Sequence, residues 1–165
     1  MVADVCHAYH VLIEHGIPAN QIITMMVDDI ANHKNNPFHG KIFNEPNGTD
    51  VYGNVRIDYK GDRVTAENFL AILSGRTGDL KGGKGPVIES TQNDSIFVYF
   101  SGDRGTRGII NFPDGSVLTA KRLNDKLKEM HSEKRYAKLV FYLQSSYSGS
   151  VFRNFLPENI SDRRY

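Results

Sequence analysis

The sequence predicts an α/β fold with a mostly parallel sheet, and three observations carry that prediction. Two apolar runs, Ile96-Phe97-Val98-Tyr99-Phe100 and Leu139-Val140-Phe141-Tyr142-Leu143, have strand length and β-branched or aromatic content. Each runs straight into a small-residue turn, Ser101-Gly102-Asp103-Arg104-Gly105 and Gln144-Ser145-Ser146-Tyr147-Ser148-Gly149-Ser150. Helical patterns separate the apolar runs, giving the order helix, strand, helix, strand, helix, strand, which fits parallel strands with crossover helices. In such sheets the carboxyl ends of the strands carry the ligand crevice, so both turns are candidate functional loops.

The elements follow in order. Residues 4–15 carry Val5, Ala8, Tyr9, Leu12 and Ile13 on one helical face, with Asp4 as the expected N-cap and Gly16 and Pro18 as the stop. Residues 22–27 read as a short buried strand running into Asp28-Asp29. From Asn32 to Tyr59 the chain is rich in Asn, Pro, Gly and His without a period, a long loop of the kind that is functional or mobile. Thr65 is placed to cap a helix over 66–73, ended by Gly75. Lys81-Gly82-Gly83-Lys84-Gly85 follows no strand, lacks a Gly-Lys-Ser/Thr ending and precedes Pro86, so it reads as a flexible connection and not a phosphate loop. Strand 96–100 is followed by the extended residues 109–112 and a Pro113-Asp114-Gly115 turn. Thr119 caps a helix with Leu123, Leu127 and Met130 at core-facing spacing. Strand 139–143 comes next, and a last short helix is expected over 151–156, before Pro157.

Composition narrows the class further. At 165 residues with 39% hydrophobic and 24% charged side chains, the chain suits one domain with a sizeable core. Twenty Lys+Arg against nineteen Asp+Glu leave a net charge of +1, which gives no general surface for nucleic acid. No apolar run reaches membrane-span length, and no signal segment opens the chain. The one cysteine, Cys6, cannot form an internal disulfide and fits a small buried side chain. Histidines and acids fall into no metal-ligand spacing, and no cofactor is implied. Acceptor triplets for N-glycosylation begin at Asn47, Asn93 and Asn159, a weak excess over the roughly 1.4 that chance gives and of little weight unless the protein is secreted.

A family resemblance enters on collinear stretches. Ala3-Asp4-Val5-Cys6-His7-Ala8-Tyr9, His15-Gly16-Ile17-Pro18, Met25 to Ala31, Pro46-Asn47-Gly48-Thr49-Asp50-Val51-Tyr52, Val64 to Leu73 and both turns resemble the legumain family of asparaginyl endopeptidases. The resemblance runs from residue 3 to about residue 160. It implies a caspase-like three-layer sandwich, truncated at both ends, in which 1–165 is a partial peptidase domain without the family's first strand and C-terminal part. Loss of a central strand would leave its neighbours' backbone groups unpaired. The family's setting implies a lysosomal, vacuolar or secreted protein.

In that family the first turn reads Asp-His-Gly and the second Glu-Ala-Cys-Glu-Ser-Gly-Ser. Here Asp103-Arg104-Gly105 stands at the first, so Arg104 takes the histidine's position; another placement of one extra residue sets Asp103 there instead. At the second, Ser148, Gly149 and Ser150 match, but Ser146 stands for the nucleophilic cysteine and Gln144 for the glutamate that helps form the substrate pocket. The oxyanion-hole N–H groups carry over to Gly105 and Ser146. A serine hydroxyl needs a general base, and a guanidinium cannot deprotonate to become one. The expectation is therefore an inactive relative of a cysteine-type endopeptidase that cleaves after asparagine. Two alternatives stay open. Ser146 could act as nucleophile with a base drawn from the histidines at 7, 10, 15, 33, 39 and 131, among which His39 lies on the long loop. Alternatively, the chain could bind peptides or a protease partner without cleaving them. The sequence sets no oligomeric state.

Overall fold

The computed structural model describes residues 2–102, 106–153, 155–157 and 160. The chain forms two compact units, Met1–Val64 and Thr65–Tyr165.

The first unit opens with α1 (Val2–Glu14). It starts two residues before the expected cap, so Asp4 lies inside the first turn, where its charge still suits the helix dipole. Gly16, at φ 85°, ends it as predicted: Gly16 N–H donates to Ile13 and Ile17 N–H to Leu12, the crossed pattern of a Schellman stop. Cys6 and Tyr9 form the buried side, whereas Ile13 is exposed, so the predicted stripe extends too far round the helix. Cys6, Met26, Ala31, Ile42 and Val51 make the core of this unit, with Val5, Tyr52, Val55 and Ile57 packed against it.

The expected strand 22–27 is not a ladder. The segment is extended and its burial alternates, with Ile22, Thr24 and Met26 inside. Its neighbour is Tyr59, which makes a single parallel bridge with Met25; Met26 N–H donates to Tyr59 and Tyr59 N–H to Thr24. A strand requires a partner over several residues, and residues 58 and 59 supply only one step of pairing. The loop from 32 to 59 has no regular element, as expected, but it is packed through Ile42, Val51 and Tyr59. Asp50 organises it. Its Oδ1 accepts the N–H groups of Ile42 and Tyr52, both at 3.0 Å. Burial opposes ionisation of Asp50, yet the N–H groups of Ile42, Tyr52 and Gly53 outweigh it and hold the carboxyl below its ordinary range.

The second unit begins with α2 (Ala66–Leu73), capped by the Thr65 hydroxyl accepting from Asn68 N–H and ended by Gly75 at φ 69°. Residues 80–94 form no helix or strand, and Asn68 pins their start by bonding both the N–H and the carbonyl of Lys81. The strand β1 (Ser95–Ser101) comes next. It is followed by β2 (Ile109–Asn111) and β3 (Val117–Thr119), an antiparallel pair across the Pro113-Asp114-Gly115 turn. The sequence reading missed β3. Its three residues are too few to show a period, although Val117 and Thr119 are β-branched.

Thr119 then caps α3 (Ala120–Ser132), whose Leu123, Leu127 and Met130 are buried as predicted. Strand β4 (Lys138–Gln144) lies parallel to β1, paired from Ser95↔Lys138 to Ser101↔Gln144. An α/β fold with a parallel sheet is therefore present. Phe69, Phe100, Phe112, Phe141 and Phe152 form a continuous aromatic cluster on one side of these strands. The last helix, α4 (Gly149–Phe152), starts earlier and ends sooner than the expected 151–156. Its final carbonyl groups are drawn elsewhere: Asn124 Nδ2, on the buried side of α3, donates to Val151 O at 2.7 Å.

Candidate functional site

Parallel pairing in full register makes β1 and β4 finish level, with Ser101 opposite Gln144. Gly102 N–H donates to Gln144 O at 3.0 Å and extends the pairing by one residue. The two turns singled out in the sequence therefore leave the same edge of the sheet, side by side. Of the first turn, Asp103, Arg104 and Gly105 lie outside the described residues. The second is described in full from Gln144 to Arg153.

Ser145 to Ser148 form a reverse turn closed by Ser148 N–H to Ser145 O at 3.2 Å. Ser146 and Tyr147 are its central residues. Tyr147 has φ 58°, a conformation that glycine or asparagine ordinarily supplies at this place, and its ring is exposed. Ser146 is exposed, and among the described residues its hydroxyl has no hydrogen-bond partner. Gln144 is differently placed. Tyr99 pairs with Tyr142, so Gln144 sits two residues further along the same face, and Tyr99 OH donates to Gln144 Oε1 at 2.5 Å. The bond takes up one of the amide oxygen's two lone pairs and leaves the amide's two N–H bonds as donors.

Ser150 fastens the turns to each other. Its hydroxyl donates to Tyr147 O at 2.6 Å and accepts Gly108 N–H at 2.8 Å, so one oxygen joins the segment after β4 to the segment before β2. Sequence reading placed Ser150 in a matching motif without this role. The signal available was its spacing of three from Tyr147, a serine able to bond back to the preceding turn.

The histidines are distributed as follows. His131, on α3, packs its ring 6.0 Å from that of Tyr136, just before β4 begins. Ser146 follows the other end of β4, and a seven-residue strand runs about 20 Å. The other five belong to the first unit. Nε2 of His10 bonds Val51 O, Nδ1 of His15 bonds Val11 O, Nδ1 of His7 bonds the Asn44 amide, and His33 accepts Asn35 N–H. His39 is exposed on the loop. Among the described residues, no three His, Cys, Asp or Glu side chains converge as a metal site would need. No helix among them is long and apolar enough to cross a membrane.

Asp28, flagged at the end of the 22–27 segment, adopts φ 63° and accepts Tyr52 OH at 2.8 Å, with Lys60 Nζ at 3.9 Å. The hydrogen bond to the Asp28 carboxylate, with burial, pushes the Tyr52 phenol up to about 12. That is a structural pair within the core of the first unit, beside buried Cys6. Burial and the Asp28 and Asp50 charges push the Cys6 thiol up to about 11, the opposite of what a nucleophilic thiol requires.

Comparison with known sequences finds relatives along nearly the whole chain. A sequence model of the peptidase C13 family matches residues 1–162. The chain belongs to the peptidase C13 family. Hemoglobinase of Schistosoma mansoni is 50% identical over 159 residues, covering 96% of this chain. Legumain of Mus musculus is 48% identical over 160 residues, and a vacuolar-processing enzyme of Vicia sativa 45% identical over 159. The chain spans about a third of the length of these relatives, 36% of the first and 32% of the last. In this C13 chain two small-residue turns leave one sheet edge, with an exposed hydroxyl at residue 146.

Proposed function

We propose that this C13 chain is a legumain-like protein without peptidase activity, with Arg104 and Ser146 standing where the family's catalytic histidine and cysteine stand. The observation that carries the reading is the isolation of the Ser146 hydroxyl. It is exposed, bonded to no other described group, and separated by the length of β4 from the one imidazole of its own unit. Serine becomes nucleophilic by giving its proton to a base held in hydrogen-bond reach, and the loss of such a partner costs several orders of magnitude in rate. Arg104 cannot take the proton. Backbone N–H groups at Gly105 and Ser146 would then stabilise little, because no oxyanion forms.

The pocket position supports the same reading. A glutamate there offers acceptors to a substrate amide, whereas Gln144 has its oxygen engaged by Tyr99 and offers donors. Kinship to vacuolar-processing enzymes makes a vacuolar or lysosomal setting part of this proposal. The test is hydrolysis of an Asn-containing fluorogenic peptide by the purified chain, with a fluorophosphonate probe in parallel. No turnover and no labelled Ser146 are expected; turnover abolished by Ser146→Ala would overturn the reading.

A further inference from the structure

A protease cuts a folded chain where several residues around one bond can leave the surface without breaking packing or main-chain hydrogen bonds. The ten lysines differ in this respect. Lys121, Lys126 and Lys128 lie within α3, and Lys138 lies within β4. At five others the peptide bond on the carboxyl side is held directly. Asn35 N–H donates to His33 Nδ1 and Arg135 N–H to Met130 O, which hold the bonds after Lys34 and Lys134. Lys41 O accepts the Asn36 amide, Lys60 O accepts Arg63 N–H, and Lys81 O accepts the Asn68 amide.

Lys84 is the exception. The connection from α2 to β1 is anchored on either side of it. Buried Asn68 takes both main-chain groups of Lys81, and Ile88 N–H donates to Ile72 O at 3.0 Å next to buried Val87. Between these anchors run Gly82-Gly83-Lys84-Gly85-Pro86, without helix or strand. Gly82 and Gly83 adopt φ of 73° and 113°, so the span turns away from extended backbone. Gly82, Gly83 and Lys84 are exposed, and a Cβ on Gly83 would meet nothing within 4 Å. Gly85 N–H, on the leaving side of the bond after Lys84, donates to no group among the described residues. Three glycines around a single long cation present that side chain with little to obstruct a protease cleft.

We propose that the Lys84–Gly85 bond is a processing site for an endoprotease that reads lysine, and that the cut chain persists as a non-covalent two-piece protein. Water adds across the bond, Lys84 gains a carboxylate and Gly85 an amine, and no further reactant is required. The pieces, residues 1–84 and 85–165, are held by contacts that the cut leaves in place. Phe69 of the first packs on Phe100, Phe112 and Phe141 of the second. Glu67 pairs with Arg122, Arg76 with Glu129 and Glu133, and Ala66 N–H donates to Ser116 Oγ. The inference goes beyond the loss of peptidase activity and holds whether or not Ser146 reacts.

Lysyl endopeptidase, added to the full chain in native buffer at a low ratio, tests it, with intact-mass spectrometry at intervals. Pieces of residues 1–84 and 85–165 should appear before any other product. Size-exclusion chromatography should return them together at the volume of the uncut chain, and urea should separate them. Lys84→Gln should extend the lifetime of the uncut chain at least about fivefold, because every other lysyl bond must first be opened. Lys81→Gln should leave that lifetime unchanged, since the bond after residue 81 is held by Asn68. Circular dichroism should show both variants folded. Earlier cleavage at another lysine, a lifetime unaltered by Lys84→Gln or equally extended by Lys81→Gln, or pieces that part in native buffer would each overturn the proposal.

Discussion

Tyr147 holds a backbone conformation that costs an L-residue roughly 1–2 kcal/mol, and its exposed ring recovers little of that by burial. Tyr147→Gly should therefore stabilise the second unit by about 1 kcal/mol, less the entropy that glycine gains on unfolding. Urea titration of the two proteins measures it; a destabilised variant would mean that the ring does more than its exposure indicates. Cys6 provides a second prediction at this scale. Its thiol is raised from about 9 to about 11, so the folded state binds this proton more tightly than the unfolded chain. Its contribution is fully present below pH 9 and is lost as pH rises through 11. Cys6→Ala should flatten the fall in stability across that interval. Iodoacetamide at pH 8 should leave Cys6 unmodified until urea is added.

Helix ends make sharper predictions than helix interiors. Thr65 and Thr119 each cap a first turn with a side-chain oxygen, and Thr65→Ala or Thr119→Ala should cost about 1 kcal/mol. Gly75→Ala should cost at least about 2 kcal/mol, because φ is positive and the new Cβ would collide with Arg135 Nη2 and lie 2.5 Å from Ile88 O. Thermal melts of the three variants rank these effects, and an ordering with the caps above Gly75 would contradict the packing. Elements carried by local chemistry were readable in the sequence for the same reason: α2 and α3 have a cap, a stripe and, for α2, a glycine stop within one window. Elements that depend on distant partners were not. Residues 22–27 have strand composition but find one bridge at Tyr59, and β3 exists because Ile110 lies opposite Leu118. The short α4 is set by Asn124 reaching from another helix, which no local pattern announces.

On the scale of the whole molecule, the sequence located the site better than it described it. Two apolar runs ending in small-residue turns were enough to place both turns at one sheet edge, and the parallel register puts Ser101 beside Gln144. The proposed correspondence of residues 104 and 146 to a catalytic pair rests on resemblance alone. The engaged oxygen of Gln144 and the bond between Gly108 and Ser150 were not, because each joins residues more than forty positions apart. If, as proposed, the isolation of residue 146 leaves the chain without peptidase activity, a sulfur placed there should not by itself confer it. Ser146→Cys should gain an ordinary exposed thiol, alkylated readily at pH 8, and still fail to hydrolyse an Asn-containing peptide. Measurable turnover by that single variant would show that a base is already in reach.

The hydroxyl of Ser150 has a mechanical consequence for the two loops that it joins. A single oxygen, giving its proton to one loop and receiving one from the other, makes the two loops a mechanically linked pair. Ser150→Ala would remove both bonds at once and leave the two loops free to shift independently of each other.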